Sequence, residues 1–571
     1  MLIALLLSPA FAGSWPPGTV IAPGISADIT KEGFDSVADL IPSLLPDSIP
    51  VPAVGDGYAG LFDQCWAGGY EYSVDNATVS VEVVSATIAP GDGVLDVDAS
   101  LLVSLNDPSD PFQLGISLEC LDQTCNGYVN PFPVDVHTTI SMAVVDNGDG
   151  TKGIDSTVGT MDVTYELDGA SDITLSDCTI GDVEEVLNYV GISIYDLILS
   201  LVGSTLNDQI ASLGPTIEDT LDGALANATI EQDLDVNGAS VHLLIGPNAV
   251  EITPDSMRII MEGSFDGAQA TCIADVDPGG SLKTDSELPG PTDVPSGIPT
   301  DYHAGVLIGD DFADSALYAF WRGGLLCYDL DSASSPIPLD TSILNLLTGD
   351  AFAPLFLETQ PMSISTRPLT PPEVVYTGEH DLDLSIKNLN VDMYAELDGR
   401  PARMISIALD GTAGADLQLD GSTGSLAINV DLDPSKFTPS VSYNEIDPSA
   451  NDTVVEKFGG LFQTILDTVV GGLLDSLAFQ LPSFSGLGLT DLKISETGDQ
   501  KDWLGAYAWL GPVTYSGGGC GGCGGGCGGA DTAISTDTGS SSCGGTGCAT
   551  IPTAPWAAVG FAALWMRRRR E

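Results

Sequence analysis

The chain has 571 residues, of which 80 are acidic and 17 basic, and its formal net charge is −63. Binding to phosphate requires clustered Lys and Arg, so this composition excludes nucleic acid as a partner. The length exceeds that of one ordinary domain and predicts two in the body of the chain.

The first residues of the chain have the pattern of an export signal. Residues 1–7 form an apolar run, and residues 10–12 (Ala-Phe-Ala) have the small-x-small pattern that precedes a signal peptidase site. We therefore expect cleavage after Ala12. The alternative, a buried N-terminal strand, is disfavoured because the two prolines in residues 14–17 would interrupt it.

Most of the body alternates apolar and polar residues, which predicts antiparallel strands with one buried face. The clearest segments are Tyr72–Val83, Val94–Leu105, Val134–Val145, Met161–Leu167, His380–Tyr394, Ala402–Leu409 and Ser425–Leu432. Residues 147–150 (Asn-Gly-Asp-Gly) predict a hairpin turn. A calcium-binding loop is the weaker alternative, because the ligand order of an EF-hand is missing.

Four other segments carry apolar residues at helical spacing. They are Phe34–Leu45, Ile194–Leu225, Ala316–Trp321 and Val454–Leu477. Thr30 can cap the first helix, and Pro215 should bend the second. Each half of the body therefore predicts a short helix, antiparallel strands, a long apolar helix and closing strands, with the join in the Pro- and Gly-rich residues 276–300.

The cysteines divide into a body set and a tail set. Six in an exported body predict disulfides, although residue types alone do not choose the pairing. We expect the pairs Cys120–Cys125, Cys272–Cys327 and Cys65–Cys178. The tail cysteines have no His nearby, so no metal site is expected.

The C-terminal end has the pattern of a sorting signal. Residues 516–547 are rich in Gly, Ser and Cys and predict a flexible tether. An apolar stretch, residues 549–566, follows Cys548 and precedes four arginines: Arg567, Arg568, Arg569 and Arg570. This pattern resembles the C-terminal sorting signal of myxobacteria and their relatives. The resemblance implies cleavage near Cys548 by a sorting protease and a place on the outer surface of a bacterial cell. The alternative is a permanent transmembrane anchor.

Several body segments, in chain order, are similar to the bactericidal/permeability-increasing and lipopolysaccharide-binding protein family, within the tubular lipid-binding superfamily. They are Ile25–Asp35, Ser193–Val202, Gly309–Phe320, Phe479–Phe484 and Leu489–Leu510. The resemblance implies an α+β fold of two tandem modules, each a curled antiparallel sheet or barrel wrapped on a long helix. A central sheet would join the modules into a boomerang. The family's endotoxin-binding members carry basic residues at the tip of the first barrel, whereas this chain is acidic throughout.

The expected division of the chain has six parts. They are a signal peptide (1–12), an N-terminal lipid-binding module (13–275), a linker (276–300), a C-terminal lipid-binding module (301–515), the tether (516–547) and the sorting signal (548–571). Apolar tunnels in the modules would take acyl chains of phospholipid, fatty acid or lipopolysaccharide. Candidates for lining them are Phe34, Val37, Ile41, Leu197, Leu201, Ile210, Phe458, Phe462 and Leu466.

The sequence therefore predicts an exported, surface-tethered protein that binds or transfers lipid. It contains no paired nucleophile and histidine, no Gly-x-Ser-x-Gly elbow and no Walker-type loop, so we expect neither an enzyme nor a cofactor. The alternative is a structural or adhesive surface protein with dry cores. An outer-membrane β-barrel is disfavoured because aromatic residues, which form its girdles, are only 7% of the chain.

Overall fold

The computed structural model of the chain describes residues 18–38, 48–50, 70–118, 121–167, 169–178, 194–225, 228–236, 239–276, 287–332, 338–376, 380–420, 425–431, 433–469, 479–480 and 487–512. The predicted export signal, tether and sorting signal lie outside these residues, as do Ile41, Cys65 and Cys120. Among the described helices, none is both long enough and apolar enough to cross a membrane.

Strands dominate the described residues, and their pairings are antiparallel. The strands are β1 Ile21–Thr30, β2 Ser48–Pro50, β3 Tyr70–Asp75, β4 Thr78–Pro90, β5 Leu95–Leu105, β6 Phe112–Leu118, β7 Leu121–Asp146, β8 Lys152–Val158, β9 Asp162–Tyr165, β10 Ile173–Ser176, β11 Ile230–Val236, β12 Ala239–Thr253, β13 Ser256–Gly267, β14 Ala304–Gly309, β15 Asp329–Asp331, β16 Met362–Pro368, β17 Glu373–Val375, β18 Leu382–Leu397, β19 Arg400–Asp420, β20 Ser425–Asp431, β21 Phe437–Tyr443, β22 Phe479–Gln480, β23 Leu487–Thr497 and β24 Trp503–Pro512. The α-helices in the same residues are α1 Lys31–Ala38, α2 Gly169–Asp172, α3 Ile194–Leu225, α4 Asp310–Arg322, α5 Thr341–Thr348 and α6 Asn451–Val469.

The strands form three sheets. The first outer sheet contains β2 to β10, along the path β2-β4-β5-β7-β6-β3, and the second contains β15 to β22, along the path β15-β16-β18-β19-β20-β22. The central sheet has the order β11-β12-β13-β1-β14-β24-β23 and so takes strands from both halves of the chain. Because β1 pairs with β13 on one side and with β14 on the other, the first strand joins the two halves.

The segments predicted to alternate lie in strands or overlap them, but several boundaries differ. Tyr72–Val83 is not one strand, because Asn76 takes a left-handed conformation (φ 58°) between β3 and β4. The predicted strand Val134–Val145 is part of the 26-residue β7. This strand is long because it pairs in turn with β5, β6, β8, β9 and β10. Residues 147–150 form the expected hairpin turn, with the Asn147 amide donating to the Thr151 carbonyl at 3.0 Å.

The helix predictions are confirmed to different extents. The Gly33 amide donates to Thr30 Oγ1 at 3.2 Å, so Thr30 caps α1 as expected. Helix α3 has the predicted bounds and contains Pro215, whereas α4 begins before the predicted residue 316. Helix α6 ends at Val469 in the described residues. Helix α5 was not predicted, although Asp340 caps it and Gly349 ends it in a left-handed conformation.

Two disulfides lie in the described residues. Cys272 pairs with Cys327, as expected, and this bond connects the end of the first half to the start of the second. Cys125 pairs with Cys178, so the expected pairs Cys120–Cys125 and Cys65–Cys178 are wrong. The physical reason is strand register: β10 pairs with β7 so that Ser176 faces Asn126, which brings the following Cys178 beside Cys125.

Candidate functional site

The first half of α3 packs on the first outer sheet. Its Ile198 and Ile210 are buried in one apolar cluster with Leu114 of β6 and with Val129 and Phe132 of β7. The cluster contains further strand residues, all apolar, from β3, β4, β5 and β10. One face of the sheet is therefore an apolar surface that is covered by the long helix.

The second half of α3 joins this surface to the central sheet. Leu221 and Leu225 are buried with Phe34 of α1 and with Met257 and Ile259 of β13. The same cluster includes residues of β5, β7 and β8 in the first outer sheet. One helix thus connects the apolar faces of two sheets.

Two glycines of α3 lie against the first outer sheet. A Cβ at Gly203 would be 2.4 Å from the Tyr165 hydroxyl, and one at Gly214 would be 3.7 Å from the Met161 methyl group. Both glycines are buried. The absence of a side chain at Gly203 lets the helix backbone approach the sheet closely, whereas a Cβ at Gly214 would make an ordinary van der Waals contact.

Carboxylates of α3 also bind the edge strand β8. Asp222 accepts hydrogen bonds from the Ser156 amide at 2.6 Å and from the Ser156 hydroxyl at 2.7 Å. Its negative charge raises the pKa of the neighbouring Asp155. The polar face of α3 is therefore held on β8 while its apolar face is buried.

The second half of the chain has a comparable arrangement around α6. Val454, Phe458 and Phe462 of this helix are buried in one cluster with residues of α5 and of strands β16, β18, β19 and β21. The ring of Phe462 stands edge-on to Phe437 of β21 at a centroid distance of 5.2 Å. Each outer sheet thus packs an apolar face against one long helix.

The structure describes four of the nine predicted lining side chains. Phe34, Ile210, Phe458 and Phe462 are all buried in the clusters above. Val37, Leu197, Leu201 and Leu466 lie in described helices, but their side chains are outside the described part, as is the whole of Ile41. A role of these residues in lining a lipid tunnel stays a prediction.

A polar cleft of about 1190 Å³ lies between the linker and the β23–β24 turn. Its walls are residues of the linker between 287 and 296, residues between 495 and 502, and Asp310. Six lining side chains are carboxylates, and Lys501 pairs with one of them, Glu496, at 2.7 Å. In the described part of the chain, no group of three or more His, Cys, Asp or Glu side chains could hold a metal ion. Because polar walls favour water over hydrocarbon, this cleft is a poor place for an acyl chain.

A buried ion pair that was not predicted from the sequence lies within the central sheet. Arg258 of β13 donates to Asp28 of β1 through Nε at 2.8 Å and through Nη2 at 2.7 Å. Its Nη1 donates to the carbonyl of Pro289 in the linker, also at 2.7 Å. The sequence feature that could have indicated this ion pair is the single Arg in the otherwise apolar run Met257–Met261.

Comparisons with known proteins do not assign the chain to a family. The chain matches no protein-family model. No curated protein matches it in sequence. Similar solved structures include lipopolysaccharide binding protein, with 13% identity over 86% of this chain and 100% of that chain and a TM-score of 0.45.

Two further structures are less similar. Takeout 1 of Epiphyas postvittana has 10% identity over 32% of this chain and 90% of that chain, with a TM-score of 0.19. P47 of Clostridium botulinum E1 has 9% identity over 86% of this chain and 100% of that chain, with a TM-score of 0.24. All three TM-scores are below 0.5.

Proposed function

We propose that this protein binds lipid outside the cell and holds acyl chains between each long helix and its outer sheet. The observation that carries the proposal is the repeated arrangement of the two halves. In each half an apolar helix face covers an apolar sheet face, around α3 in one and α6 in the other. In the finer form of the proposal, each outer sheet curls around its helix and leaves a tunnel beside it.

The chemistry of the chain favours recognition of hydrocarbon over recognition of a charged headgroup. A buried methylene contributes roughly 0.8 kcal/mol, so acyl chains alone can supply the affinity. The chain has 80 acidic and 17 basic residues, which disfavours capture of an anionic lipid through its phosphates. We further propose that the protein holds or transfers its lipid without chemical change.

The proposed location is the surface of a bacterial cell, reached by the export signal and kept by the C-terminal sorting signal. The two disulfides support an oxidising compartment. Cleavage near Cys548 by a sorting protease belongs to the same proposal. Mass spectrometry of the C-terminus of the mature protein tests it, and an intact Arg567–Arg570 segment would contradict cleavage.

Native mass spectrometry of the full chain is the first test of lipid binding. We expect bound phospholipid or fatty acid, and uptake of a fluorescent fatty acid after lipid has been extracted. A preparation that is free of lipid and takes up neither fatty acid nor phospholipid would contradict the proposal. It would favour the second candidate, a structural or adhesive surface protein with dry cores.

A pair of matched variants locates the bound chain. Phe462→Leu changes the buried cluster at α6, whereas Phe265→Leu changes a buried cluster between α4 and the central sheet. We expect the first variant to change the Kd for fluorescent fatty acid several-fold and the second to leave it unchanged. Equal effects of the two variants would count against binding beside α6.

A further inference from the structure

An asparagine followed by glycine is chemically reactive. The glycine has no side chain to shield its backbone nitrogen, which can attack the side-chain carbonyl carbon of the asparagine. The described residues contain two such pairs, Asn126 with Gly127 and Asn147 with Gly148. The two pairs have the same residues but lie in different backbone environments. A third pair, residues 237–238, lies outside the described residues.

Asn147 and Gly148 are both exposed in the turn between β7 and β8. Gly148 has a positive φ of 80°, and a Cβ there would meet no described atom within 4 Å. The Asn147 side-chain amide donates to Thr151 Oγ1 at 3.0 Å, and the Gly148 amide donates to Asp146 Oδ1 at 2.7 Å. Both hydrogen bonds are exposed, and exposed hydrogen bonds in a turn open at little cost in free energy. The Gly148 nitrogen can therefore reach the Asn147 side chain while the strands stay folded.

Asn126 and Gly127 lie inside β7, where both edges of the strand are paired. Asn126 faces Gln113 of β6 on one side and Ser176 of β10 on the other. A Cβ at Gly127 would be 2.5 Å from the Phe112 ring. Opening a strand that is paired on both edges costs much of the free energy of unfolding. The Gly127 nitrogen is therefore kept from the Asn126 side chain in the folded protein.

The same turn also contains an aspartate followed by glycine, Asp149 with Gly150. This pair reacts by the same route only when the carboxyl group is neutral, because an ionised carboxylate has no good leaving group. Asp149 accepts from the Thr151 hydroxyl at 2.6 Å and from the Thr151 amide at 3.0 Å, and these hydrogen bonds lower the pKa of its carboxyl group. Asp149 therefore stays ionised near neutral pH, which leaves Asn147 as the reactive residue of the turn.

We propose that Asn147 is a site of spontaneous deamidation. The Gly148 nitrogen loses its proton and bonds to Cγ of Asn147, the bond from Cγ to Nδ2 breaks, and ammonia leaves with one proton gained. The five-membered imide that results takes up one molecule of water. Opening of the imide at one carbonyl gives aspartate, and opening at the other gives isoaspartate. No oxidant or reductant takes part.

This modification would change the turn in two ways. Each event adds one negative charge between Asp146 and Asp149. In the isoaspartate form the main chain runs through Cγ and is longer by one carbon atom. Since Asp146 faces Lys152 at the end of the ladder between β7 and β8, we expect the longer turn to disturb this pairing. The change would therefore lie at the start of β8, the strand that α3 contacts through Asp222.

The test is incubation of the full chain in buffer at pH 8, followed by peptide mapping with mass spectrometry. We expect the deamidated fraction to be about ten-fold or more higher at Asn147 than at Asn126, with both aspartate and isoaspartate among the products. The matched control is the same chain in urea with a thiol reductant. Both asparagines should react at similar rates there, because the folded structure no longer distinguishes them.

Three results would overturn the proposal. Asn126 would react as fast as Asn147 in the folded chain, or Asn147 would stay unchanged in the folded chain while it reacts in urea. A product with aspartate but no isoaspartate would exclude the imide route. Asn147→Gln should abolish the signal at this position, because the longer side chain would have to close a six-membered ring. Every readout is independent of lipid, so failure here is distinct from failure of the proposed function.

Discussion

At the scale of single residues, the most consequential contact is the buried ion pair between Asp28 and Arg258. Both side chains are almost inaccessible to water, and the Arg also holds the Pro289 carbonyl of the linker. A buried charge is tolerated only when it is paired and hydrogen-bonded. The pair therefore connects β1, β13 and the linker through hydrogen bonds.

Asp28→Asn should destabilise the protein by about 3 to 5 kcal/mol, because it leaves the Arg258 charge buried without a counter-charge. Urea unfolding measures the loss, and limited proteolysis should show earlier cleavage of the linker. The control is Lys31→Ala, which removes the exposed Lys31–Asp35 pair and should cost less than about 1 kcal/mol. Equal losses for the two variants would mean that the buried pair has no special role.

His380 should make part of the stability depend on pH. Its Nδ1 is 3.1 Å from Asp416, and this hydrogen bond raises the pKa of His380 above its ordinary value of 6.5. A histidine with a raised pKa in the folded state contributes stability that is full below pH 6.5. That stability is lost as the pH rises through the raised value.

We therefore expect the urea concentration at half-unfolding to decrease as the pH is raised from 6 to 8. The decrease should be smaller for the His380→Gln variant than for the unchanged chain. His137 and His242, whose pKa values are also raised by neighbouring carboxylates, should supply the remaining dependence. Asp416→Asn is the partner variant, and combining it with His380→Gln should add little. A urea midpoint that increases with pH in the unchanged chain, but not in His380→Gln, would contradict a stabilising role of protonated His380.

At the scale of elements, apolar spacing predicts the long helices, but the close approach of α3 to β9 depends on one small residue, Gly203. Gly203 and Gly223 both lie inside α3, yet only Gly203 faces a neighbour at close range. Substitutions at these two positions therefore measure the effect of helix propensity and the effect of packing separately. The sequence alone does not distinguish them.

Gly223→Ala should stabilise the protein by up to about 1 kcal/mol, since a Cβ there meets open space and Ala is the better helix former. Gly203→Ala should instead destabilise it by about 1 kcal/mol or more, because the Tyr165 hydroxyl must move. Thermal unfolding of the two variants provides the comparison. If both stabilise the protein equally, α3 does not lie as close to β9 as the structure has it.

Helix α5 shows why an element can be missed. Its Ile343, Leu344 and Leu347 have helical spacing, and Asp340 and Gly349 are good end signals. The helix has only eight residues, so the periodic signal is short and strands surround it in the sequence. The exposed Leu346 also breaks the apolar-in, polar-out pattern, which weakens the helical signal further.

At the scale of the whole molecule, charge dominates the behaviour in solution. A net charge of −63 on 571 residues produces self-repulsion that opposes the compact state. Salt screens this repulsion, with a Debye length of about 10 Å at 0.1 M and about 3 Å at 1 M.

The Tm should therefore rise by several degrees between about 0.02 M and about 0.5 M NaCl. Differential scanning calorimetry measures the change, and KCl at the same concentrations should have the same effect. A Tm that falls over this range would show that the described ion pairs outweigh the general repulsion.

The sequence by itself determined the local features of this protein: its acidic surface, most of its strands, and the bounds of α3. These features follow from the spacing of apolar residues, which records the face that each segment buries. Tertiary structure alone decided which strands are neighbours. Backbone hydrogen bonds are alike for any partner strand, so the pairing of β1 with β13 and β14 has no local signal. The contact between Asp28 and Arg258, 230 residues apart, and the pairing of Cys125 with Cys178 both follow from such pairings. For the same reason, sequence spacing identified Phe458 and Phe462 as buried but did not show which sheet would cover them.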